Sequence, residues 1–382
     1  MSQQMSKAMS GPRILCINPG STSTKVAVFE GPEELFSEDL RHAKDELAAF
    51  ARVMDQMEYR RAAVAQAVAE RLGAGGAGFD AVAGRGGLLR PLPGGVYAVT
   101  LPMLDDLSRA AYGEHPCNLG AGLALDFATE HSCPAFVVDP PVTDEMQEQA
   151  RITGLPRIRR RSVFHALSQR AAARRAASQL GLRYQEAKFV VAHLGGGVSV
   201  GAHCRGRVVD VTNGVDGEGP MSAERAGALP CFALLDLIRQ GEDPQALRRE
   251  ILTRGGLFAH TGTNDLRDIE ARMDAGDEAA ALAFQAQAYS VSKYIGGMAA
   301  TLFEAEGPGT NVPMNADVNA PIAAVVLTGG MAKSTRLVAE ITRRVRWIAP
   351  VIALPEVEEM RALALGAELA LQGETPVQEY GG

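Results

Sequence analysis

The chain has 382 residues, 46% hydrophobic and 22% charged, with a formal net charge of −7. This composition is typical of a globular protein large enough for two domains, and it excludes a disordered or fibrous chain. The acidic balance argues against nucleic-acid binding, and five scattered cysteines without CxxC spacing argue against a disulfide framework or zinc site. Because neither a signal peptide nor a membrane-length apolar stretch is found, we expect a cytoplasmic protein without a membrane partner.

The first predicted elements are two strands, ILCIN and KVAVFEG, which flank the turn PGSTST and are rich in apolar and β-branched residues. ELFSEDLRH is expected to add a third strand, and residues 45–72 a helix. A buried strand in DAVAGRGG enters a glycine turn. LPMLDDLSRAAYG and NLGAGLALDFATEH are predicted helices, and the strand PAFVVD ends at Asp139.

The second half of the chain repeats this order. A helix is predicted from Phe164 to Leu180, and AKFVVAHLGGGVSVGAHCRGRVVDVTNG then predicts three strands joined by tight turns. The remaining predictions are helices at about 230–240, 244–254, 264–274 and 277–305, the strand PIAAVVL, a helix from Lys333, a strand near WIAPVIAL and a helix from Glu358. The repetition indicates a duplicated α/β architecture with mixed sheets and helical cover.

Two small-residue turns are candidates for phosphate binding. PGSTST is dense in hydroxyl groups and is followed by Lys25, whereas the turn LGGG at Leu194–Gly197 exposes backbone N–H groups that a phosphate can approach. Each is also compatible with an ordinary hairpin turn. Gly329 and Gly330 suit a nucleotide close to a helix N-terminus, or form a simple strand–helix turn.

Two familiar nucleotide motifs are rejected. GAGGAG at Gly73–Gly78 matches GxGxxG by letter, but it follows a predicted helix and precedes a strand, the reverse of the dinucleotide fingerprint. TGGMAKST lacks the glycine that a P-loop places directly before its lysine. We therefore expect neither a dinucleotide fold nor a P-loop.

Five side chains near these turns could act on an anion. His193 precedes the glycine turn, His165 opens a helix and Asp139 ends a strand, although structural histidines and a capping carboxylate are the alternatives. Arg85 and Arg225 lie in turns lined by glycine and alanine. A guanidinium there binds carboxylate or phosphate in bidentate fashion, or forms a surface ion pair.

Together these motifs resemble the acetate kinase family, in its butyrate kinase branch. They are INPGSTSTKVAVFEG, GRGGLLRPLPGG, EHPCNLGA, VVDPPVTDEM, AHLGGGVSVGAH, GEGPMSAERAGALP, LTGGMAKS and EVEEMRALALGA. The resemblance implies two duplicated actin-like (ribonuclease H-like) domains, with mixed sheets flanked by helices and the nucleotide in the interdomain cleft. We expect an N-terminal domain of residues 1–164 completed by about 346–382, and a second domain of residues 165–345.

The resemblance also implies the reaction. The family phosphorylates a short-chain carboxylate with ATP and Mg²⁺, or converts acyl phosphate and ADP to ATP. The implied roles are Asn18 near metal and phosphates, Asp139 at carboxylate and metal, His165 stabilising the transferring phosphoryl group, Arg225 holding substrate oxygens, and a glutamate near Mg²⁺ that is Glu358 or Glu359, with Glu358 preferred.

The nucleotide-binding residues follow from the same resemblance. They are Gly20, Ser21, Ser23 and Lys25 in a first phosphate loop, His193, Gly195, Gly196 and Gly197 in a second, and Asp265, Leu266 and Arg267 with Gly329 and Gly330 around the adenosine. We also expect a homodimer or higher homo-oligomer and no nucleic-acid partner.

One departure from the family pattern bears on the acceptor. Acetate kinases carry RVVHGG where this chain has AVAGRGG, so that Arg85 would replace a lost cation. This favours butyrate or isobutyrate as the acceptor. A kinase for acetate, propionate or branched-chain acids, and a non-catalytic ATP-sensing protein, are the alternatives.

Overall fold

The computed structural model describes residues 11–73, 78–303, 321–355 and 359–381. The chain divides into two compact units, Met1–Thr143 with Glu358–Gly382 and Asp144–Val357. The sequence placed the corresponding boundaries at 164 and near 346. Every helix in the described ranges is too short or too polar to span a membrane.

The strands and helices follow one another in alternating α/β order. The strands are β1 Arg13–Pro19, β2 Ser23–Glu30, β3 Glu33–Arg41, β4 Ala81–Gly84, β5 Val96–Ala98, β6 Ala135–Val138, β7 Lys188–Leu194, β8 Val198–Cys204, β9 Arg207–Val211, β10 Ile322–Thr328, β11 Val351–Leu354 and β12 Val377–Gln378. The helices are α1 Lys44–Ala48, α2 Met57–Leu72, α3 Leu101–Ser108, α4 Leu119–Glu130, α5 Glu148–Arg151, α6 Ala166–Gln179, α7 Cys231–Arg239, α8 Pro244–Thr253, α9 Gly256–Thr261, α10 Leu266–Asp274, α11 Glu278–Thr301, α12 Thr335–Val345 and α13 Glu359–Leu371. Short 3₁₀ turns lie at Val53–Gln56, Pro116–Asn118, Tyr184–Glu186 and Gly330–Lys333.

The first unit is built on a seven-stranded sheet in the order β12-β5-β6-β4-β1-β2-β3. β1 pairs antiparallel with β2 and parallel with β4, and β4 pairs parallel with β6. Side chains of β1 such as Leu15 and Ile17 pack with Val64 of α2 and Leu119 of α4. α13 also packs along β1, β2, β4 and β6. Burial between helices explains why β1 is almost continuously apolar.

The second unit is built on a five-stranded sheet in the order β11-β10-β7-β8-β9. Alternate residues of β7 enter different clusters: Val191 packs with the alanines of α6, whereas Val190 packs with α11 and α12. The period of two places one helical layer on each face of the sheet. This unit is therefore a three-layer α/β/α arrangement.

The two units share one topology. The order β3-β2-β1-β4-β6 of the first sheet matches β9-β8-β7-β10-β11 of the second, each with an antiparallel meander followed by parallel strands. The predicted duplication of a mixed α/β architecture is confirmed.

Some local elements differ from the prediction. The helix expected over 45–72 is interrupted, because the N–H of Val53 donates to Glu114 Oε1 (3.0 Å) and the Arg52 guanidinium donates to Ser108 O (2.6 Å). These tertiary contacts hold the chain outside α-helical geometry, and Val53–Gln56 form a 3₁₀ turn instead. β5 and β12 were not predicted, since each is very short and they pair with one another across nearly 300 residues of chain.

Candidate active site

Three predicted site residues lie where parallel strands of the first sheet end. Ile17 of β1 aligns with Gly84 of β4, and Gly84 aligns with Val137 of β6. Asn18 directly follows Ile17, and Arg85 directly follows Gly84. Asp139 directly follows the last residue of β6. The carboxyl edge of parallel strands is where ligands bind in open α/β sheets. The sequence therefore brings these three residues to one sheet edge.

A carboxylate joins Asn18 to Arg85 at this edge. Glu359 Oε2 accepts a 2.9 Å hydrogen bond from Asn18 Nδ2 and forms a 2.7 Å ion pair with Arg85. Burial opposes the charge of Arg85, but the Glu359 carboxylate outweighs it and raises the pKa of the guanidinium. Glu358, the preferred metal-proximal glutamate, lies outside the described residues. The structure places its neighbour Glu359 beside Asn18.

Close backbone packing explains the glycines around Arg85. A Cβ on Gly84 would lie 2.1 Å from the carbonyl oxygen of Gly120 in α4, and a Cβ on Gly120 would lie 2.1 Å from the carbonyl oxygen of Arg85. Neither distance is sterically possible, so both positions require glycine. The close approach of α4 sets the path of the chain through Arg85.

Asp139 adopts a strained backbone conformation. Its φ is +39°, which is uncommon for a residue with a side chain, and the residue is buried. Its Oδ1 accepts a 2.9 Å hydrogen bond from the N–H of Gly95, whose carbonyl accepts the N–H of Asp139 (2.9 Å). These two bonds stabilise the conformation and fix the position of the carboxylate.

The hydroxyl-rich turn between β1 and β2 is tight. The N–H of Gly20 donates to Ser23 O at 2.7 Å, and the turn leaves Ser21 and Lys25 exposed and Ser23 half-buried. Arg60 of α2, which is fully buried, donates through Nη1 to the carbonyl oxygens of Gly20 (2.9 Å) and Ser23 (3.0 Å). The turn is therefore held from its buried side by a cation.

Sequence reasoning missed Arg60. Its Nη1 also lies 3.0 Å from Thr24 Oγ1, and its Nε donates to Gln56 Oε1 (3.0 Å). Nη2 has no acceptor in the described ranges, and burial lowers the pKa of the guanidinium. In the sequence Arg60 is one arginine of a helix that contains three, so nothing local distinguishes it from its solvent-facing neighbours.

The glycine turn between β7 and β8 has a different construction. A Cβ on Gly195, Gly196 or Gly197 would first meet side-chain atoms, those of His193, Glu224 and Arg225, and none of the three glycines has a positive φ. Gly329, by contrast, has a φ of +88°, and its Cβ would lie 2.5 Å from the carbonyl oxygen of Leu194. The fold thus requires Gly329 but does not by itself require the glycine run.

Arg225 lies against this turn. A Cβ on Gly197 would be 2.8 Å from its Nη1. Ser222 Oγ accepts the N–H of Arg225 (2.9 Å) and donates to Gly196 O (2.5 Å), which ties the two segments together. Burial lowers the pKa of Arg225, with Glu224 acting in the opposite direction. Among the described residues no ion pair is found for this guanidinium, which is partly buried and not fully exposed.

His165 and His193 lie side by side in the second unit. Their rings stack with centroids 3.9 Å apart and planes 10° apart. His193 is in β7, next to the glycine turn, and His165 immediately precedes α6. His165 Nδ1 lies 2.9 Å from Ser199 Oγ of β8. The structure therefore gathers His165, His193 and the glycine turn around one strand pair, with Arg225 against the turn.

The predicted adenosine loop lies at the start of α10. Asp265 caps this helix by accepting the N–H of Arg267 (2.9 Å), and hydrogen bonds from Arg267 lower its pKa to about 2. The Leu266 side chain packs in the core of the unit, while Arg267 is exposed. Asn264 Nδ2 donates to Glu224 Oε1 (2.6 Å), which links this loop to the residue before Arg225.

The donor set fits a magnesium ion that is held mainly by a nucleotide. Within the described part of the chain, no three His, Cys, Asp or Glu side chains cluster as a metal site. Asn18 and Glu359 offer one amide oxygen and one carboxylate at the sheet edge. Mg²⁺ in nucleotide sites commonly takes one or two carboxylates and completes its shell with phosphates and water.

The chain has the actin-like fold. The structure is similar to that of the acetate kinase of Porphyromonas gingivalis, with a TM-score of 0.74 at 21% identity over 94% of this chain and 100% of the other. Residues 145–307 match the family described as "Acetokinase family".

Relatives of known sequence define the family. A probable butyrate kinase of Oleidesulfovibrio alaskensis is 54% identical over 97% of this chain and 98% of its own length. A probable butyrate kinase of Maridesulfovibrio salexigens is 46% identical over 97% of this chain and 99% of its own length. The chain belongs to the acetokinase family.

Proposed function

We propose that the chain transfers a phosphoryl group between ATP and the carboxylate of a short-chain fatty acid, with butyrate or isobutyrate as the preferred acid. The observation that carries the proposal is Arg225, a largely buried guanidinium without an ion pair in the described residues, next to glycines that the fold does not require. A partly buried cation beside a turn of glycines is suited to a phosphoryl group.

Phosphoryl transfer needs positioning and charge stabilisation more than covalent chemistry from the protein. The acid is already ionised at neutral pH, so no strong general base is required. In the proposed reaction Arg225 stabilises charge on the transferring group, and His193 with Gly195–Gly197 forms a phosphate loop. Gly329 and Gly330, with Asp265–Arg267, bind the nucleoside.

The edge of the first sheet supplies the acceptor side of the proposal. Arg85, held by Glu359, binds the acid carboxylate, and Asp139 is fixed beside this edge by Gly95. Asn18 and Glu359 hold Mg²⁺, which when bound with ATP offsets part of the phosphate charge. Gly20, Ser21, Ser23 and Lys25 form the first phosphate loop.

The preference for a four-carbon acid is supported by two features. The relatives described above are named probable butyrate kinases, and Arg85 replaces the histidine of the acetate kinase motif. The cytoplasmic location and the homo-oligomeric assembly stay predictions of the sequence.

A hydroxamate assay over straight and branched acids of two to six carbons tests the proposal. With MgATP, purified protein should form acyl hydroxamates, with the highest specificity constant for butyrate or isobutyrate. Formation of no hydroxamate from any acid would exclude a carboxylate kinase, while a maximum at acetate or propionate would reassign the acceptor within the family.

A further inference from the structure

A chain of buried hydrogen bonds leads to His165 inside the second unit. Its links are Tyr184 Oη to His203 Nδ1 (2.9 Å), His203 Nε2 to Gln169 Oε1 (3.0 Å), Gln169 Nε2 to Ser199 Oγ (2.8 Å) and Ser199 Oγ to His165 Nδ1 (2.9 Å). The other four residues of this hydrogen-bond network are at most 4% exposed. Their protons are therefore set by one another and not by bulk water.

The directions of the inner bonds follow from groups that can only accept. Gln169 Nε2 also lies 3.0 Å from the carbonyl oxygen of Ser199, so this atom is the amide nitrogen and Oε1 faces His203. Because Oε1 cannot donate, His203 Nε2 carries a proton. Burial, with two neighbouring arginines, lowers the pKa of His203 to about 3, so the ring is neutral at ordinary pH. Its Nδ1 accepts from the Tyr184 hydroxyl.

The Ser199 hydroxyl extends the same direction to His165. One amide hydrogen of Gln169 goes to the Ser199 carbonyl and the other to Ser199 Oγ. The hydrogen of the Ser199 hydroxyl then has His165 Nδ1 as its acceptor, and no other acceptor is found in the described ranges. Nδ1 of His165 is thus an acceptor, and the ring proton is on Nε2.

Gly201 of β8 provides independent evidence that the fold accommodates this hydrogen-bond network. A Cβ there would lie 2.4 Å from Gln169 Oε1 and 3.3 Å from His203 Nε2. Gly201 has no positive φ that would require glycine. A glycine inside a strand weakens it, and here it leaves room for the hydrogen bond between Gln169 and His203.

We infer that Ser199 and Gln169 are positioning residues that hold His165 as the neutral Nε2–H tautomer, so that it offers a hydrogen-bond donor to an anionic substrate group. The catalytic consequence rests on the proposed function, whereas the tautomer does not. An N–H donor stabilises the charge that spreads over phosphoryl oxygens in the transition state, and an imidazole lone pair would repel it. The neutral ring also stacks on His193 without mutual charge repulsion.

Nitrogen NMR of the full-length, ligand-free protein tests the tautomer directly. With ¹⁵N-labelled histidine, and the His165 signals assigned by their loss in His165→Gln, we expect protonated Nε2 and unprotonated Nδ1. Ser199→Ala should produce a mixture of both tautomers. Ser292→Ala, a buried serine of α11 that donates to Ala288 O, is the matched control and should leave the signals unchanged. A protonated Nδ1 in the wild type, or no change in Ser199→Ala, overturns the inference.

Kinetics separate this inference from the proposed function. Ser199→Ala should lower kcat on the order of tenfold, the smallest loss found when a metal-bound histidine loses its orienting hydrogen-bond partner, with KM for acid and ATP within about twofold. Gln169→Leu should act in the same direction, and thermal unfolding checks that both variants fold. An unchanged kcat in an active, folded Ser199→Ala overturns the catalytic part. Inactivity of the wild type overturns the proposed function, while the NMR result still decides the tautomer.

Discussion

The two hairpin turns that begin the two sheets occupy equivalent positions but are built differently. The first, from Gly20 to Ser23, carries hydroxyl side chains and is held from its buried side by Arg60. The second, Gly195–Gly197, carries no side chains and has Arg225 against it. Both turns thus have a buried or largely buried arginine, yet one guanidinium binds the backbone of its turn and the other has neither backbone acceptor nor ion pair in the described residues.

This difference separates an arginine that supports the fold from one that is suited to bind a ligand. Arg60 makes four hydrogen bonds within the fold, so most of its role is structural. Arg225 is partly desolvated and has no ion pair among the described residues, which costs stability unless a ligand compensates. The first proposed phosphate loop is therefore held rigidly by its arginine, whereas the arginine at the second has no such structural role among the described residues.

Removing Arg225 should have the largest effect. We expect Arg225→Ala to lower kcat by about 3–5 powers of ten, as loss of an arginine that stabilises phosphoryl transfer does, while ATP affinity and thermal stability are largely kept. Arg225→Lys should recover little, because one ammonium cannot reproduce the guanidinium fork. Arg207→Ala, in the exposed first position of β9, is the control. A near-normal kcat in Arg225→Ala would make this arginine structural, like Arg60.

Two glycine substitutions separate ligand requirement from fold requirement. Gly196→Val should leave a folded protein that no longer binds ATP, since an added Cβ meets only the end of the Glu224 side chain (3.3 Å) while the branched side chain fills the space proposed for phosphate. Gly329→Val should instead destabilise the fold, because of its positive φ and the carbonyl of Leu194 at 2.5 Å from an added Cβ. Calorimetric ATP titration and thermal unfolding measure the two effects. Normal ATP binding by folded Gly196→Val would show that the phosphate loop is elsewhere.

Arg85 tests the acceptor side. Arg85→Ala should raise KM for the acid more than it lowers kcat, if Arg85 mainly binds the ground-state carboxylate. Steady-state kinetics with varied acid and saturating MgATP provide the two constants. Arg90→Ala, whose guanidinium lies over the Tyr380 ring in the same unit, serves as the comparison and should change neither. A fall in kcat at constant KM would place Arg85 in the transition state instead.

Arg60 should show the smallest change in activity and a clear change in stability. Arg60→Leu leaves the carbonyl oxygens of Gly20 and Ser23 without this donor, and we expect the free energy of unfolding to fall by about 1–3 kcal/mol. Arg71→Leu, on the exposed end of the same helix and paired with Glu38, should cost at most about 1 kcal/mol. Denaturant unfolding of both variants measures the two losses in the free energy of unfolding. Equal losses would mean that Arg60 is no more important than a surface ion pair.

Much of the fold was predictable because its signals are local. The apolar runs of β1 and β7, each followed by a small-residue turn, predicted the duplication, and the strand order confirms it. Interrupted or very short elements were not predictable. The break before α2 depends on Glu114 and Ser108, and β12 depends on a partner near the other end of the chain.

The residues of the candidate site that belong to sequence motifs could be predicted. Those that are placed only by tertiary packing could not. Asn18, Arg85 and Asp139 stand out in the sequence, and the structure brings them to one sheet edge. Arg60, Gln169 and Ser199 sit inside ordinary helix and strand patterns, so only coordinates reveal what they contact. Glu358, preferred from the motif, lies outside the described residues and stays a prediction, while the ion pair of Glu359 with Arg85 is visible only in the structure.

Competition between two acids tests the central proposal most directly. Equimolar butyrate and acetate, both well below saturation, are incubated with protein, MgATP and hydroxylamine, and the two hydroxamates are separated and quantified. Because both acids share one enzyme and one ATP pool, the product ratio equals the ratio of their kcat/KM values. The proposal predicts an excess of butyryl hydroxamate from the earliest time points. An equal amount, or an excess of acetyl hydroxamate, would contradict it.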